Sequence, residues 1–547
     1  MTMTRSGGRA GVVLSALVIT MGLVVPAQAG QAGDTSSGGA VVRTDTGLVR
    51  GEVTDTHRRF QGIPYAAPPV GKLRWRSPQP VTPWTGVKDA TKPGERCAQD
   101  PGFGHPVVVN EDCLYLNVTT PRNRPGRKLK PVMVWFHGGG FIAGSGSNYD
   151  VHRLAVGGDV IVVTLNYRLG TMAYFGYPGL AGSGGYGIED QQAALRWVQR
   201  NARAFGGDPG NVTAFGGSAG GLSVCAQLAS PSAAGLFHRA ILQSAPCMLD
   251  YPANALVPGL GAGSIWASRA DTEAVGARLA AKRGCTDPGT AVDCLRQVST
   301  KDLLYDEVAA ELPGPTYGNQ ILPISPAAAQ RRGLLHPVPV LAGTVRDEGR
   351  HFSALLWPEQ ITAQKYAELL DEAFGEDATR VAARYPVNSY SHPGLAWADV
   401  IGDRVWSCQA LNGDRLFARR TAVYGFEFAE RATPPWTPYP PNFPSGAYHA
   451  SEVAYIMDSG EFVPALNSPQ RELGAMMIRY WANFAATGDP NGPELPHWPR
   501  FRNHREQVLS LATDTYGGVR PADLGSRHNC AFWERLAAGT GQERGVR

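Results

Sequence analysis

A serine within a run of small residues is the first candidate for chemistry in this sequence. Residues 211–221 read Asn-Val-Thr-Ala-Phe-Gly-Gly-Ser-Ala-Gly-Gly, so Ser218 lies in a Gly-x-Ser-x-Gly pattern. A short buried strand before this run and a helix after it would form a tight turn that lifts the serine hydroxyl above a sheet. The N–H group of Ala219, at the helix start, would then help to bind an oxyanion. Five residues alone are more typical of a glycine- and serine-rich loop, so the rest of the chain must supply a base, an acid and further donors.

A run of three glycines can supply those further donors. The run His137-Gly-Gly-Gly-Phe141 follows a continuous apolar stretch that predicts a buried strand, 131–136. Glycine dihedrals allow successive backbone N–H groups to point at one anion without a charged side chain. The alternative is a glycine-rich turn or a phosphate-binding loop, but the run lacks the Lys-Ser/Thr of a nucleotide-binding loop.

The base and the acid are sought after the serine in the chain. A serine hydroxyl needs a base to take its proton. In proteins that carry the Gly-x-Ser-x-Gly turn between a strand and a helix, the order along the chain is nucleophile, acid, histidine. His449 is the best remaining histidine because it lies in a polar loop, 445–452, before an apolar helical run. Glu348 and its neighbour Asp347 follow a predicted strand, 338–342, where either carboxylate can hold the imidazole in the right tautomer. Spacing alone does not choose between the two.

These motifs, in this order, resemble the type-B carboxylesterase/lipase family, the cholinesterase-like branch of the α/β hydrolases, in a secreted, bacterial-type form. The resemblance extends from Val41 to Trp533. The matching segments are 62–71 (Gly-Ile-Pro-Tyr-Ala-Ala-Pro-Pro-Val-Gly), 111–117 (Glu-Asp-Cys-Leu-Tyr-Leu-Asn), 137–141, 205–209 (Phe-Gly-Gly-Asp-Pro), 347–349 and His449.

The resemblance assigns roles to individual residues. It implies Ser218 as nucleophile, Glu348 rather than Asp347 as acid, and His449 as base. It further implies oxyanion N–H groups, residues that support the histidine, and buried ion pairs: Gly139, Gly140 and Ala219; Ser244 and Glu452; Arg74 with Glu111 and Arg168 with Asp190. The alternative for the four ion-pair residues is a set of solvated surface charges.

The eight cysteines are expected to form disulfides, since the protein is predicted to be exported. The family resemblance implies three pairs: Cys97 with Cys113, Cys285 with Cys294, and Cys408 with Cys530. For Cys225 we slightly prefer a buried thiol on the helix after Ser218 over a bridge to Cys247.

Two positions depart from the family pattern. Gly217 stands where the family usually has a glutamate before the nucleophile, so the carboxylate network around Glu452 must be rearranged. The loop between Cys97 and Cys113 contains no tryptophan, so the seat for a quaternary ammonium that cholinesterases carry has no counterpart. We therefore do not expect a choline-ester specialist. No metal-ligand cluster or cofactor motif appears, and we expect no cofactor and no metal.

The alternation of strands and helices predicts an α/β class protein with the α/β-hydrolase fold: a large, mostly parallel central sheet covered by helices. Long helical insertions, 268–305 and 362–422, would surround the active-site mouth, and segment 60–75 reads as an irregular packed loop because of its prolines and glycines. The predicted organisation is a signal peptide, 1–29, a flexible leader, 30–40, a single α/β-hydrolase catalytic domain, 41–540, and a C-terminal tail, 541–547.

Export is predicted from the N-terminus. Arg5 and Arg9 precede an apolar run, 12–25, and Ala27-Gln-Ala29 is a small-residue cleavage site. The run is shorter than the roughly 20 residues that a membrane anchor needs. Net charge is +4 with no Lys/Arg cluster, which argues against a nucleic-acid partner. We expect a secreted, extracellular protein without stable membrane insertion, as a monomer or weak homo-oligomer.

The sequence therefore favours a secreted serine carboxylic-ester hydrolase that acts on a small-molecule ester through an acyl-enzyme at Ser218. A non-catalytic adhesion or binding protein on the same fold is the alternative from another class. Among enzymes, a lipase, an esterase for polyesters and a transacylase remain open, because the insertions that build the pocket cannot be derived from sequence.

Overall fold

The structure is a computed structural model, and it describes residues 39–539 except 101, 103–105, 123–127, 313, 358–359 and 460–464. The predicted signal peptide, nearly all of the leader and the C-terminal tail lie outside the described residues.

Within the described residues, one central sheet contains eleven strands in the order β18-β17-β16-β15-β10-β9-β7-β8-β6-β4-β3. The described strands are β1 Val41–Arg43, β2 Leu48–Arg50, β3 Glu52–Val53, β4 His57–Pro64, β5 Val87–Asp89, β6 Tyr115–Pro121, β7 Lys130–Phe136, β8 Ile161–Leu165, β9 Gly207–Gly217, β10 Arg239–Gln243, β11 Asp250–Tyr251, β12 Gly263–Ser264, β13 Ala267–Ser268, β14 Thr316–Tyr317, β15 Val340–Val345, β16 Val423–Phe428, β17 Gln507–Leu511 and β18 Arg520–Asp523.

The middle of the sheet is parallel, from β8 through β7, β9, β10, β15 and β16 to β17, and both edges are antiparallel. Alternate residues of β7 belong to different cores: Val134 and Phe136 pack on one face, Met133 and Trp135 on the other. Strands that are buried on both faces require continuous apolar sequence. This is why the parallel strands can be predicted from their apolar runs. The predicted mostly parallel sheet and α/β-hydrolase fold are confirmed.

Helices cover both faces of the sheet. The first core includes side chains of α3 and α4, and the second includes those of α1 and α16. The described helices are α1 His152–Gly158, α2 Gly170–Tyr174, α3 Tyr186–Asn201, α4 Ala219–Ala229, α5 Arg269–Lys282, α6 Ala291–Leu295, α7 Thr300–Leu304, α8 Glu307–Ala310, α9 Pro326–Arg331, α10 Gly349–Leu355, α11 Ala363–Phe374, α12 Ala378–Arg384, α13 Pro393–Ile401, α14 Cys408–Phe417, α15 Val453–Ile456, α16 Ser468–Thr487, α17 Leu524–Arg527 and α18 Cys530–Gly539, with a π-helical segment, Gly402–Ser407, between α13 and α14.

One local prediction is wrong at the start of segment 60–75. Strand β4 continues to Pro64 and pairs with β6, although its sequence includes glycine and proline. The register shifts between Phe60 and Ile63, and Gly62 there has a φ of +68°. A bulge at the glycine therefore accommodates the residue that argued against a strand.

All eight cysteines are paired. The three bridges implied by the family resemblance are present, and Cys225 is also bonded to Cys247. The preference for a buried Cys225 thiol is wrong because α4 packs beside the loop after β10, which brings the two Cα atoms to 5.4 Å, within disulfide reach.

Asp414 on α14 is a buried carboxyl against the sheet. It is 2% exposed, and its Oδ1 atom has no hydrogen-bond partner among the described residues. It lines a small cavity with Gln330 and Cys247. Burial raises the pKa of Asp414 well above its ordinary value, so the neutral acid is the favoured form in the folded protein.

We expect the free energy of unfolding of Asp414→Asn to fall less with rising pH than that of the native protein. In the native protein the stability due to this group is fully present below the unfolded-state pKa of aspartate and is lost as pH rises through the raised folded-state pKa. Over that window the loss is up to about 1.4 kcal/mol per pH unit. Urea unfolding across a pH series measures it. Asp371→Asn, at an exposed position of α11, is the control and should keep the native slope. An equal slope in Asp414→Asn and native protein would contradict the prediction.

Candidate active site

Ser218 sits in the turn between β9, which ends at Gly217, and α4, which begins at Ala219. Its backbone has φ 55° and ψ −127°, a conformation that L-residues rarely adopt. Its N–H group donates to the carbonyl of Gln243 at the end of β10, at 2.9 Å. The strained turn therefore holds the serine at the carboxyl edge of the sheet, as the motif predicts.

The turn requires glycines because the backbone segments touch. A Cβ atom at Gly220 would overlap the carbonyl oxygen of Phe136, at the end of β7. A Cβ atom at Gly216 would overlap the backbone of Gly220 itself. The small residues around Ser218 thus allow strand, turn and helix to pack at a distance that no side chain permits.

The glycine run after β7 lies directly against the serine. The Cβ position at Gly138 is 3.0 Å from the carbonyl oxygen of Gly217 and 3.3 Å from the Cβ of Ser218. Gly139 and Gly140 have φ values of 113° and 61°, in the region that favours glycine. Within the described part of the chain, nothing accepts a hydrogen bond from the N–H groups of Gly139, Gly140 or Ala219. These three N–H groups are the ones that the family resemblance implies as oxyanion donors.

Glu348 and His449 are in contact, although they are 101 residues apart. The Nδ1 atom of His449 lies 2.5 Å from Oε2 of Glu348, and the other carboxylate oxygen accepts from the N–H of Val345 at 3.0 Å. Glu348 is fully buried and the His449 side chain is 8% exposed. An ionised carboxylate only accepts, so Nδ1 carries the proton and Nε2 is left as the basic nitrogen.

The pKa of His449 follows from two opposed effects. Burial lowers it, but the charge and the hydrogen bond of Glu348 raise it more, so the net direction is upward. Among the described residues, Nε2 of His449 has no hydrogen-bond partner. Catalytic hydrogen bonds are often long in unliganded enzymes, so a base at this position need not be bonded to a serine before substrate binds.

Aromatic rings enclose His449. The rings of Phe352 and Trp406 lie 5.1 Å and 5.7 Å from the imidazole, and His351 lies 6.4 Å away. Burial, with the charge of His449 as a smaller cause, lowers the pKa of His351 to about 3. His351 is therefore neutral at ordinary pH, and the surroundings of His449 on this side are apolar.

Comparison with known proteins places this arrangement in a family. A model of the carboxylesterase family matches residues 38–533, which is most of the chain. The chain belongs to the carboxylesterase family. It is therefore a carboxylic ester hydrolase that acts on small-molecule esters.

Three relatives indicate how far the similarity extends. A cocaine esterase from Oryctolagus cuniculus is 36% identical over 501 residues, covering 85% of this chain and 91% of that protein. The pyrethroid hydrolase Ces2e from Rattus norvegicus is 33% identical, covering 87% and 86%. A medium-chain fatty acyl-CoA hydrolase precursor from Anas platyrhynchos is 32% identical, covering 89% and 91%. These three are vertebrate proteins and give no support to a bacterial-type origin.

The carboxylesterase carries a second buried carboxyl beside its histidine. Glu452 is fully buried, and its Oε1 atom accepts from Nε2 of Gln243 at 3.1 Å. Burial raises the pKa of Glu452 to about 7, and the charge of Glu348 adds to the effect. Ser244, predicted to support the histidine, has a buried hydroxyl without a partner among the described residues. The structure thus brings Glu452 to the site but does not hydrogen-bond Ser244 to it.

Gln243 is a residue that sequence reasoning missed. Its carbonyl accepts from the N–H of Ser218, its Nε2 donates to Glu452, and its Oε1 accepts from Nε1 of Trp481. A signal was available, because Gln243 is the polar residue that ends the buried run Ala-Ile-Leu at the carboxyl edge of a parallel strand, where ligand sites concentrate.

The two predicted ion pairs are formed and buried. Arg74 contacts Glu111 through Nε at 2.8 Å and NH2 at 2.5 Å, and Arg168 contacts Asp190 at 2.8 Å and 2.7 Å. Both arginines also donate to backbone carbonyls, Arg74 to that of Val298. Through these bonds, the two arginines connect loops to the body of the carboxylesterase. The four side chains are therefore not solvated surface charges.

The described residues contain neither a metal-binding cluster nor a helix that could span a membrane. No group of three or more histidine, cysteine or carboxylate side chains in the described ranges is arranged to hold a metal ion. In the same residues, no helix combines the length and the apolar character that crossing a bilayer demands.

We expect Glu452→Gln to move the acid limb of the kcat/KM profile to lower pH. The ionised Glu452 raises the pKa of His449, so its neutral replacement lets His449 lose its proton at lower pH. A pH series with p-nitrophenyl butyrate measures the limb. Glu189→Gln is the matched control, since burial also raises the pKa of Glu189 but its neighbours are Asp190 and Arg168. An acid limb at the native pH in Glu452→Gln would contradict the inferred effect of Glu452 on the pKa of His449.

Proposed function

We propose that this carboxylesterase is a secreted serine hydrolase in which Ser218, His449 and Glu348 carry out ester cleavage through an acyl-enzyme. The observation that carries the proposal is the 2.5 Å contact between His449 and Glu348. The strained turn at Ser218, pressed against the glycine run, supports it. The alternative of a non-catalytic binding protein gives no reason for a buried imidazole held by a carboxylate at this edge of the sheet.

In the acylation step, Oγ of Ser218 attacks the ester carbonyl carbon and Nε2 of His449 takes the hydroxyl proton. Glu348 holds the imidazole in the tautomer that accepts this proton and stabilises the imidazolium that forms. The carbonyl oxygen becomes an oxyanion, for which the N–H groups of Gly139, Gly140 and Ala219 are the proposed donors. Losing one such donor typically costs about 2.7 to about 4 kcal/mol of transition-state stabilisation.

In the second half of the reaction the same groups act in reverse. His449 gives its proton to the departing alcohol oxygen, which leaves the acyl group on Ser218. A water molecule then attacks the acyl carbon while Nε2 of His449 takes a water proton. The second tetrahedral intermediate collapses, the carboxylic acid leaves, and Ser218 regains its proton from His449.

The proposed substrate is a neutral ester. The rings of Phe352 and Trp406 and the neutral His351 make the side of the site next to His449 apolar. The segment closed by the disulfide between Cys97 and Cys113 has no tryptophan, so it lacks the aromatic seat for a cationic alcohol. Choline esters are therefore disfavoured.

We also propose export. Disulfides persist in oxidising compartments, and this chain has four. Residues 1–29 would serve as the signal peptide of a single catalytic domain that acts as a monomer or weak homo-oligomer. Mass spectrometry of the protein from the culture medium of an exporting host should place the mature N-terminus at about Gly30. Retention of the intact N-terminus in the cell would contradict export.

We expect Ser218→Ala to lower kcat for p-nitrophenyl butyrate by about 10⁶-fold, because no nucleophile remains. The circular dichroism spectrum and melting temperature should stay close to those of the native protein, since alanine is small enough for the turn. Ser232→Ala, on an exposed serine, is the control and should keep full turnover. Native-like turnover in Ser218→Ala would refute the assignment of the nucleophile.

A series of p-nitrophenyl esters of increasing acyl length separates the enzyme classes. We expect saturable hydrolysis of monomeric short-chain esters, with no rise in rate at the solubility limit. A jump in rate at that limit would indicate a lipase. Transfer of the acyl group to an added alcohol in preference to water would indicate a transacylase.

A further inference from the structure

Asp347, the carboxylate next to Glu348, makes a paired contact with the loop that carries His449. Its N–H group donates to the carbonyl of Ala447 at 2.9 Å, and its Oδ2 accepts from the N–H of Ala447 at 2.8 Å. Ala447 is two residues before His449. The turn with the acid and the loop with the base are therefore joined at a point adjacent to both.

Two arginines hold the Asp347 carboxylate in place. Arg431 donates from Nε to Oδ2 at 3.0 Å and from NH2 to Oδ1 at 3.1 Å, and Arg350 reaches Oδ1 at 3.0 Å. Arg350 also donates to the carbonyl of Pro444 at 3.0 Å, in the same loop. Asp347 is 7% exposed and the Arg350 side chain 8%, so their charge-assisted bond is shielded from water, while the Arg431 side chain is 32% exposed.

The loop is packed tightly on this carboxylate. Gly446 has a φ of 61°, and a Cβ atom there would overlap Oδ2 of Asp347 and approach NH1 of Arg350 to 2.7 Å. Loop and carboxylate thus have one relative position, and that position is set where the chain leads into His449.

We propose that Asp347, with Arg431 and Arg350, is a positioning residue for the reaction: it sets the distance between Glu348 and His449. The inference rests on the proposed function of those two residues. Among the described residues, Asp347 bonds to Ala447, Arg350 and Arg431, and not to the side chains of Ser218 or His449. It acts by fixing the backbone on both sides of the short contact between acid and base.

Few bonds define the contact between Glu348 and His449. Glu348 is held by the N–H group of Val345, the last residue of β15, and His449 is held by its bond to Glu348. Without the Asp347 contacts, the loop that precedes His449 would lose the bonds to Ala447 and the bridge through Arg350. A misplacement of about 1 Å in a catalytic group can cost about 100-fold in rate.

The test is Asp347→Asn, which keeps the shape of the side chain but removes the charge that the two arginines hold. We expect kcat for p-nitrophenyl butyrate to fall about tenfold to about 100-fold, with KM little changed because substrate contacts remain.

The acid limb of kcat/KM should also move to lower pH in Asp347→Asn. Among the titratable groups around His449, Glu348 and Glu452 raise its pKa, while the neighbouring His351 is neutral at ordinary pH. A looser contact with Glu348 therefore lowers the pKa of His449.

The matched control is Asp306→Asn. Asp306 is also buried, pairs with Lys282 and Arg283, and caps α8. That variant should lose stability without any change in KM or in the acid limb. If Asp347→Asn behaves like Asp306→Asn, with a lower melting temperature and an unmoved limb, the role is structural only and the proposal fails. It also fails if kcat is native-like.

Arg431→Gln decides the matter if Asp347→Asn does not fold. Arg431 is partly exposed, and its loss leaves the bonds of Asp347 to Ala447 and Arg350. We expect a smaller fall in kcat with the same direction of the acid limb, and native values for both would overturn the proposal. Failure of the proposed function is distinguishable, because it would appear as Ser218→Ala retaining native turnover.

Discussion

The contact between the end of β7 and the start of α4 is the constraint on which the site depends. The carbonyl of Phe136 and the backbone of Gly220 lie so close that no Cβ fits between them. This close approach sets the depth at which α4 begins, and so the height of Ser218 above the sheet. It also brings the glycine run after β7 against the same serine. The proposed nucleophile and oxyanion donors are thus fixed by one backbone contact, and Glu348 and His449 approach from the end of β15 and from the loop 445–452.

Features that depend on local sequence can be predicted from the sequence, and features that depend on contacts between distant parts of the chain cannot. Continuous apolar runs predict the parallel strands, and short motifs in their chain order bring forward Ser218, His449 and the neighbouring carboxylates Asp347 and Glu348, because those signals are local. The choice between Glu348 and Asp347 depends on which carboxylate the arginines occupy, a contact across the fold. Strands β17 and β18 and the bridge from Cys225 to Cys247 were likewise not predictable, because long-range packing creates them. The roles of the site residues remain predictions.

The buried carboxyl groups of this protein differ in what neutralises them. Asp347 faces two guanidinium groups, Glu348 faces an imidazole, and Asp190 forms a bidentate pair with Arg168. Glu452 and Asp414 have no cation in direct contact among the described residues, and burial raises the pKa of each. The first three carboxylates thus orient a guanidinium or imidazole partner, whereas burial shifts Glu452 and Asp414 toward the protonated acid.

The disulfide between Cys408 and Cys530, which lie 122 positions apart, closes a segment that contains β16, the loop 445–452 with His449, and α16. A protease that cut the chain once inside this segment would produce two polypeptides that stay covalently joined. The nicked protein would migrate as one species on a non-reducing gel and as two after reduction. If the cut falls between Cys408 and His449, this cross-link keeps the piece that carries His449 attached to the piece that carries Ser218.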